Sequence, residues 1–202
     1  MQNNYLKDVS ILIVDDQAFI RSLLRQILHV LGCTKIFDAA DGETAWKAAL
    51  AGRPDLIIVD WYMAPMNGVD FVRKMRRDPA SPNQYVPIIM ISGYSDRAHI
   101  FTARDAGINE FVVKPISAKA LFSRINAVIQ HPRRFVRVGE FFGPDRRRQE
   151  KVVNDERRGI GEVEPKKNVV DMTAVMNQQE INDLMNPDDV DVDGQPIRKT
   201  GT

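Results

Sequence analysis

The chain has 202 residues, with 28 Lys and Arg against 27 Asp and Glu and a formal net charge of +1, enough for one domain with a tail or two small domains. Near-zero charge excludes a generic nucleic-acid binder and leaves only local basic segments for such a role. The lone Cys33 excludes an internal disulfide framework, and "MQNNYLKD" lacks the basic start and apolar run of a signal peptide, so a cytoplasmic protein without membrane insertion is expected.

Along the first two-thirds, short and nearly continuous apolar runs recur: "SILIVDD" (Ser10 to Asp16), "KIFDA" (Lys35 to Ala39), "DLIIVD" (Asp55 to Asp60), "PIIMIS" (Pro87 to Ser92) and "NEFVVKP" (Asn109 to Pro115). Parallel strands covered on both faces read this way. Amphipathic segments of helical length lie between them. Phe19, Leu23, Ile27 and Leu31 form an apolar stripe after the first run, and Leu121, Ile125, Val128 and Ile129 form one after the last. Repeated strand–helix alternation predicts an α/β fold, a five-stranded parallel doubly wound sheet of the flavodoxin-like kind.

Ligands of open α/β sheets bind beyond the carboxyl ends of the strands. There the first run ends in Asp15 and Asp16, the third in Asp60 and the fourth in Ser92, and the fifth delivers Lys114 before Pro115. Converging carboxylates repel unless a cation neutralises them. An all-oxygen set without His or Cys suits Mg²⁺, and a lysine with a hydroxyl opposite suits an anion beside it. Aspartates also cap strand ends and start helices, which accounts for one or two of these residues but not for the set. His29, His99 and His131 are too scattered to suggest a metal cluster, and Cys33 is expected to be a small buried thiol.

With "VDD", "DWYMAPMNG", "ISG" and "VVKP" at the element ends, residues 6–130 resemble the receiver domain of two-component response regulators, in particular the CheY-like chemotaxis regulators. The resemblance implies that Asp60 is the phosphoacceptor. It implies that Asp15, Asp16, Asp60 and the carbonyl of Tyr62 hold Mg²⁺, that Ser92 and Lys114 stabilise the phosphoryl group, and that Phe111 is the aromatic switch. The implied partner is a sensor histidine kinase and the implied role a signalling phosphoacceptor, not an enzyme. Gly93 is expected to keep the phosphoryl pocket open. The family has Met-Pro where this chain has Met63-Ala64-Pro65, so an altered loop is expected. Tyr62 and Tyr94 flank the route of a hydrolytic water and predict slow dephosphorylation.

After about Gln130 the alternation stops at "HPRRF". Residues 1–131 are taken as the receiver, 132–150 as an arginine-rich extension and 151–202 as a mostly disordered tail that lacks the means to bury a core. In the extension, Arg133, Arg134 and Arg137 precede Phe141 and Phe142, and Asp145, Arg146, Arg147 and Arg148 follow Gly143-Pro144. Guanidinium groups bind phosphate and the guanine edge, aromatic rings stack on bases, and a carboxylate accepts from guanine. The alternative is an arginine-rich linker drawn to any polyanion. "FFGPDRRR" resembles the extension of CheY-like regulators that bind cyclic di-GMP, which implies that ligand.

Further on, "VMNQQEINDLMNP" combines Asn177 and Glu180 in a capping-box pattern with Met176 and Ile181 as a hydrophobic staple. Ile181, Leu184 and Met185 make one stripe, so a short docking helix is expected at 176–186. The segment resembles the CheY-binding peptide of the flagellar switch protein FliM, with coincidence as the alternative. Two functions stay open. One is a phosphorylatable regulator that reads cyclic di-GMP and acts in chemotaxis and flagellar motor control, recruited to the motor. The other is a plain phosphotransfer receiver for a non-flagellar partner, its tail a linker or localisation signal. No pattern of helix-turn-helix size is present, so DNA is not an expected partner, and a monomer is expected.

Overall fold

A computed structural model describes residues 6–145 and 172–185. Its centre is a five-stranded parallel sheet in the order β2-β1-β3-β4-β5. The strands are β1 (Ser10–Val14), β2 (Lys35–Ala39), β3 (Leu56–Asp60), β4 (Ile88–Ser92) and β5 (Glu110–Val113). Every residue of β3 and β4 is buried, as strands covered by helices on both faces must be. The helices are α1 (Ala18–Val30), α2 (Gly42–Gly52), α3 (Gly68–Arg77), α4 (Arg97–Ala106) and α5 (Ala118–Gln130). One apolar cluster gathers Leu12, Val59, Phe71 and Phe111, and a second gathers Ile13, Leu24, Ile58 and Ile125.

Helix starts follow from capping. Asp41, Asn67, Asp96 and Ser117 each accept a backbone amide of the turn they open, and such a cap contributes about 1 kcal/mol. The stripe on α5 is as expected, with Leu121, Ile125 and Val128 buried. On α1 the phase differs. Leu24 and Leu28 are its buried residues and Phe19 is 75% exposed, because the face toward the sheet starts at Ile20, one residue later than the stripe assigned.

Part of the arginine-rich extension, residues 135–144, is packed structure that the sequence reading did not assign. Strands β6 (Phe135–Val138) and β7 (Phe141–Pro144) form an antiparallel hairpin turned at Gly139, whose φ of 57° suits glycine. Phe142 is buried, with its ring 5.2 Å from that of Tyr85 and 5.6 Å from that of Phe135. Beneath them lies Arg76, fully buried. Its guanidinium donates to Gly107 O (2.9 Å), Gln84 O (2.9 Å) and Asn109 Oδ1 (3.2 Å) and lies 5.0 Å from the centre of the Phe135 ring. Burial pushes its pKa down to about 9, so it remains charged at neutral pH.

The expected docking helix is α6 (Gln178–Met185), and its capping box is formed. Asn177 Oδ1 accepts from the Glu180 amide (3.0 Å), and Glu180 Oε2 accepts from the Asn177 amide (2.8 Å). Met176, Ile181 and Met185 are buried in the cluster that holds Ile100 and Phe111. Backbone bonds zip the preceding stretch to the β4–α4 loop and the first turn of α4: Met176 N to Ser95 O (2.8 Å), Arg97 N to Ala174 O (3.2 Å) and Ala98 N to Met172 O (3.1 Å).

Candidate functional site

In the order 2-1-3-4-5 the chain reverses its winding between β1 and β3, and the crevice beyond their carboxyl ends is where such folds place a ligand. Asp15 follows β1 directly and Asp60 is the last residue of β3. Both are nearly inaccessible, at 1% and 6% exposure. The Lys114 ammonium bridges them, 2.8 Å from Asp60 Oδ1 and 3.2 Å from Asp15 Oδ2. Ser92, the last residue of β4, is buried beside them, and its Oγ accepts the Tyr94 amide at 3.0 Å.

Local structure fixes each group. Arg21 donates to the carbonyls of Asp15 (2.8 Å) and Asp16 (3.2 Å), bracing the loop after β1. Gly68 N bonds Trp61 O at 2.9 Å, and a Cβ on Gly68 would sit 1.9 Å from Asp60 O. Only glycine allows this approach of the α3 start to the end of β3. The peptide bonds Ala64–Pro65 and Lys114–Pro115 are cis. At Gly93 a Cβ would meet nothing within 4 Å, so the space beside Ser92 is open.

Electrostatics follow from the burial. Desolvation raises the Asp60 carboxyl above its ordinary value, the Asp15 charge adds to this, and Lys114 opposes it. For Lys114 burial lowers the pKa, but its bonds and proximity to Asp60 and Asp15 outweigh that and raise it. Asp15 and Asp60 share one ammonium, and Asp16 adds a third carboxylate next in the chain, so the site retains negative charge that a divalent cation would neutralise. The oxygens shown there, the Asp15 and Asp60 carboxylates and the Ser92 hydroxyl, are hard donors of the kind that suits Mg²⁺. Asp16 is exposed. Among the described residues no three His, Cys, Asp or Glu side chains gather in a group that could hold a metal ion. The residues present fit Mg²⁺.

The residues whose amides bond Asp60 and Ser92 carry an aromatic group that sequence reasoning only half anticipated. Tyr62 and Tyr94 have ring centres 5.1 Å apart, and His99, read as an isolated histidine, stacks on Tyr94 at 5.0 Å. Phe111 is fully buried, and its carbonyl accepts from Gln178 Nε2 at 2.9 Å. Cys33 is buried as expected, with desolvation raising its thiol.

The extension residues divide. Phe142, expected as an exposed stacking platform, is spent on the hairpin contact, and Arg137 lies 4.6 Å over its ring. It is buried because Tyr85 and Phe135 offer apolar area that outcompetes water. Arg133 lies 3.9 Å from Glu110, a buried carboxylate that Arg124 also pairs at 3.1 Å. Arg134 is exposed, Phe141 and Asp145 are half-buried, and the Asp145 amide bonds Arg134 O at 2.7 Å. Arg146, Arg147 and Arg148 lie outside the described residues.

Comparison with known proteins agrees with this architecture. Residues 11–126 match the response regulator receiver domain, and the chain belongs to that family, whose members are signalling phosphoacceptors that generally use Mg²⁺ and act with histidine kinases. Within it the receiver is similar to CheY-type chemotaxis proteins. It is 34% identical to the chemotaxis protein CheY of Pseudomonas aeruginosa over 122 residues, 60% of this chain and 97% of that one. It is 32% identical over 124 residues to CheY-3 of Vibrio cholerae, 61% of this chain and 94% of that one. Among solved structures, Vibrio cholerae CheY4 superposes with a TM-score of 0.55 at 28% identity, covering 60% of this chain and 98% of its own. The CheX–CheY–BeF3–Mg²⁺ complex from Borrelia burgdorferi also gives 0.55 at 28% identity, covering 59% and 88%. No helix among the described residues is long and apolar enough to cross a membrane.

Proposed function

We propose that this chain is a response regulator phosphorylated at Asp60 by a histidine kinase, with Ser92 and Lys114 receiving the phosphoryl group. The observation that carries the reading is the Lys114 ammonium, bonded to both Asp60 and Asp15 at the switch point of the sheet. An Asp60 oxygen attacks phosphorus, the bond from phosphorus to the kinase imidazole nitrogen breaks, and that nitrogen keeps the electron pair. Lys114 then moves its bonds to the phosphoryl oxygens, and Ser92 Oγ donates to another. Fixed charges in a buried site lower the barrier without reorganising. Bound to Asp15, Asp16, Asp60 and the Tyr62 carbonyl, Mg²⁺ would supply charge neutralisation for the incoming phosphoryl oxygens.

The output we infer is chemotactic, at the flagellar motor. Similarity to CheY proteins supports it. So does the position of residues 172–185, which lie along α4 and β5 with Ile181 and Met185 in the cluster of Ile100 and Phe111. The segment resembles a FliM peptide, so a motor peptide arriving in trans would compete for the place the tail holds. Phosphorylation would shift that competition through Ser92 and the adjoining loop to which the tail is zipped. Cyclic di-GMP is the second ligand we assign, held by Arg146, Arg147 and Arg148 with Arg134 and Arg137 of the hairpin. The second reading, a plain receiver whose tail is only a linker, has less support because residues 172–185 pack on the receiver.

The test is labelling by acetyl phosphate in Mg²⁺. The native chain should take up one phosphoryl group and Asp60→Asn none; full labelling of the variant would refute the assignment.

A further inference from the structure

The Tyr62 and Tyr94 amides touch the site itself, donating to Asp60 Oδ2 and Ser92 Oγ, each at 3.0 Å. Both rings lie about half exposed, at 49% and 52%. A half-exposed tyrosine on a loop samples several rotamers unless something pins it. The pin is His99, at the start of α4. Its Nε2 lies 3.0 Å from the Tyr62 hydroxyl and its ring stacks on Tyr94 with an 18° interplanar angle. Trp61 packs on it 4.9 Å away.

The imidazole is itself held. Nδ1 lies 2.6 Å from Asp96 Oδ2, while Asp96 Oδ1 accepts the His99 amide at 3.1 Å and caps the helix. Burial pushes the Asp96 carboxyl up, but the bonds from His99 outweigh it and hold the group below its ordinary value. With its acceptor at Nδ1, the neutral ring takes the tautomer that carries the proton there and presents Nε2 to the Tyr62 hydroxyl. Asp96, His99 and Tyr62 are thus joined in one chain of contacts that ends on the residue whose amide bonds Asp60.

We propose that His99 is a positioning residue: held by Asp96, it fixes Tyr62 against Tyr94 as a cover over Asp60 and so sets the lifetime of the phosphoryl group. The proposal rests on the assignment of Asp60. Hydrolysis forms a bond from a water oxygen to phosphorus and breaks the Asp60 oxygen–phosphorus bond. The carboxylate leaves with the electron pair and the water proton passes to phosphate or solvent. A fixed cover keeps that water out of line. A mobile one admits it.

The full chain is labelled with radioactive acetyl phosphate in Mg²⁺, excess reagent is removed, and loss of label is followed as a first-order decay. His99→Phe keeps a ring on Tyr94 but bonds neither Tyr62 nor Asp96, and Tyr62→Phe removes only the phenol oxygen. Each should quicken the decay about two- to tenfold, the equivalent of one hydrogen bond. The double variant should decay no faster than the quicker single one, because both remove the same contact. An unchanged lifetime in either variant, or effects that multiply, would overturn the proposal. If His99→Phe cannot be labelled, Tyr62→Phe decides alone by the same criterion. A native chain that takes no label overturns the Asp60 assignment and this proposal with it, whereas a native chain that labels beside variants of native lifetime overturns the proposal alone.

Discussion

The Val113 amide of β5 donates to the side-chain oxygen of Gln178 at 2.8 Å, across 65 residues of sequence. The same side-chain amide donates from Nε2 to Phe111 O at 2.9 Å and to Asn182 Oδ1 at 2.9 Å. β5 is an edge strand, and an unpaired edge is a template for another chain. One glutamine stands in for the missing neighbour, satisfying a donor and an acceptor two residues apart.

Gln178→Ala removes both bonds and returns the β5 edge to water. At about 1 kcal/mol net for each bond, docking of 172–185 should weaken by roughly 2 kcal/mol. Hydrogen exchange at the Val113 amide should quicken by at least about tenfold. Binding of an added FliM peptide should rise in parallel. Native protection in the variant would show that the apolar anchors alone hold the tail.

Arg76 ties α3 to the ends of β4 and β5 and underlies the hairpin. Arg76→Met keeps the stem but leaves Gly107 O and Gln84 O without their donor. Losing a buried charged donor costs about 3 kcal/mol, so thermal melts should show a Tm lower by roughly 5–15 °C. Tyr85 fluorescence should report release of β6 and β7.

The raised Asp60 carboxyl gives a pH dependence of definite sign. A carboxyl that binds its proton more tightly when folded stabilises most below its unfolded value near 3.8, and this contribution is lost as pH rises through the folded value. In EDTA at pH 7 the Asp60→Asn variant should therefore melt above the native chain, with the gap closing toward pH 4. Mg²⁺ should stabilise the native chain more than the variant. A native chain that melts higher in EDTA at pH 7 would contradict the account.

For cyclic di-GMP, Arg146→Ala with Arg148→Ala removes two charge-assisted contacts, each contributing about 1.5–3 kcal/mol. Calorimetry should show affinity lower by roughly two to four orders of magnitude. Equal binding of single-stranded RNA by the native chain would favour the polyanion linker.

The strands were legible because period and length coincide: β2 spans Lys35–Ala39 as read, and the others begin or end within two residues of the runs that signalled them. Asp15, Asp60, Ser92 and Lys114 were legible because strand ends in this topology share one crevice. The α6 cap was legible because Asn177 and Glu180 act locally. What stayed hidden depends on distant partners. Phe142 is buried by Tyr85 and Phe135, and nothing in "GEFFGP" announces them. Likewise His99 bonds Tyr62 across 37 residues, and only the Asp96 to His99 spacing hinted at a local pair. The phase of α1 was lost because Phe19, Ile20, Leu23 and Leu24 offer two overlapping stripes, and only the sheet selects between them.

Amide NMR spectra of the full chain, titrated with beryllofluoride in Mg²⁺ as a reversible stand-in for the phosphoryl group, test the assignment of Asp60 most directly. The account predicts shifts at Asp60, Tyr62, Ser92, Tyr94 and Lys114 that saturate at one equivalent and spread to Phe111, Val113 and Gln178, with none in Asp60→Asn. Equal shifts in the variant, or shifts confined to residues away from these strand ends, would contradict it.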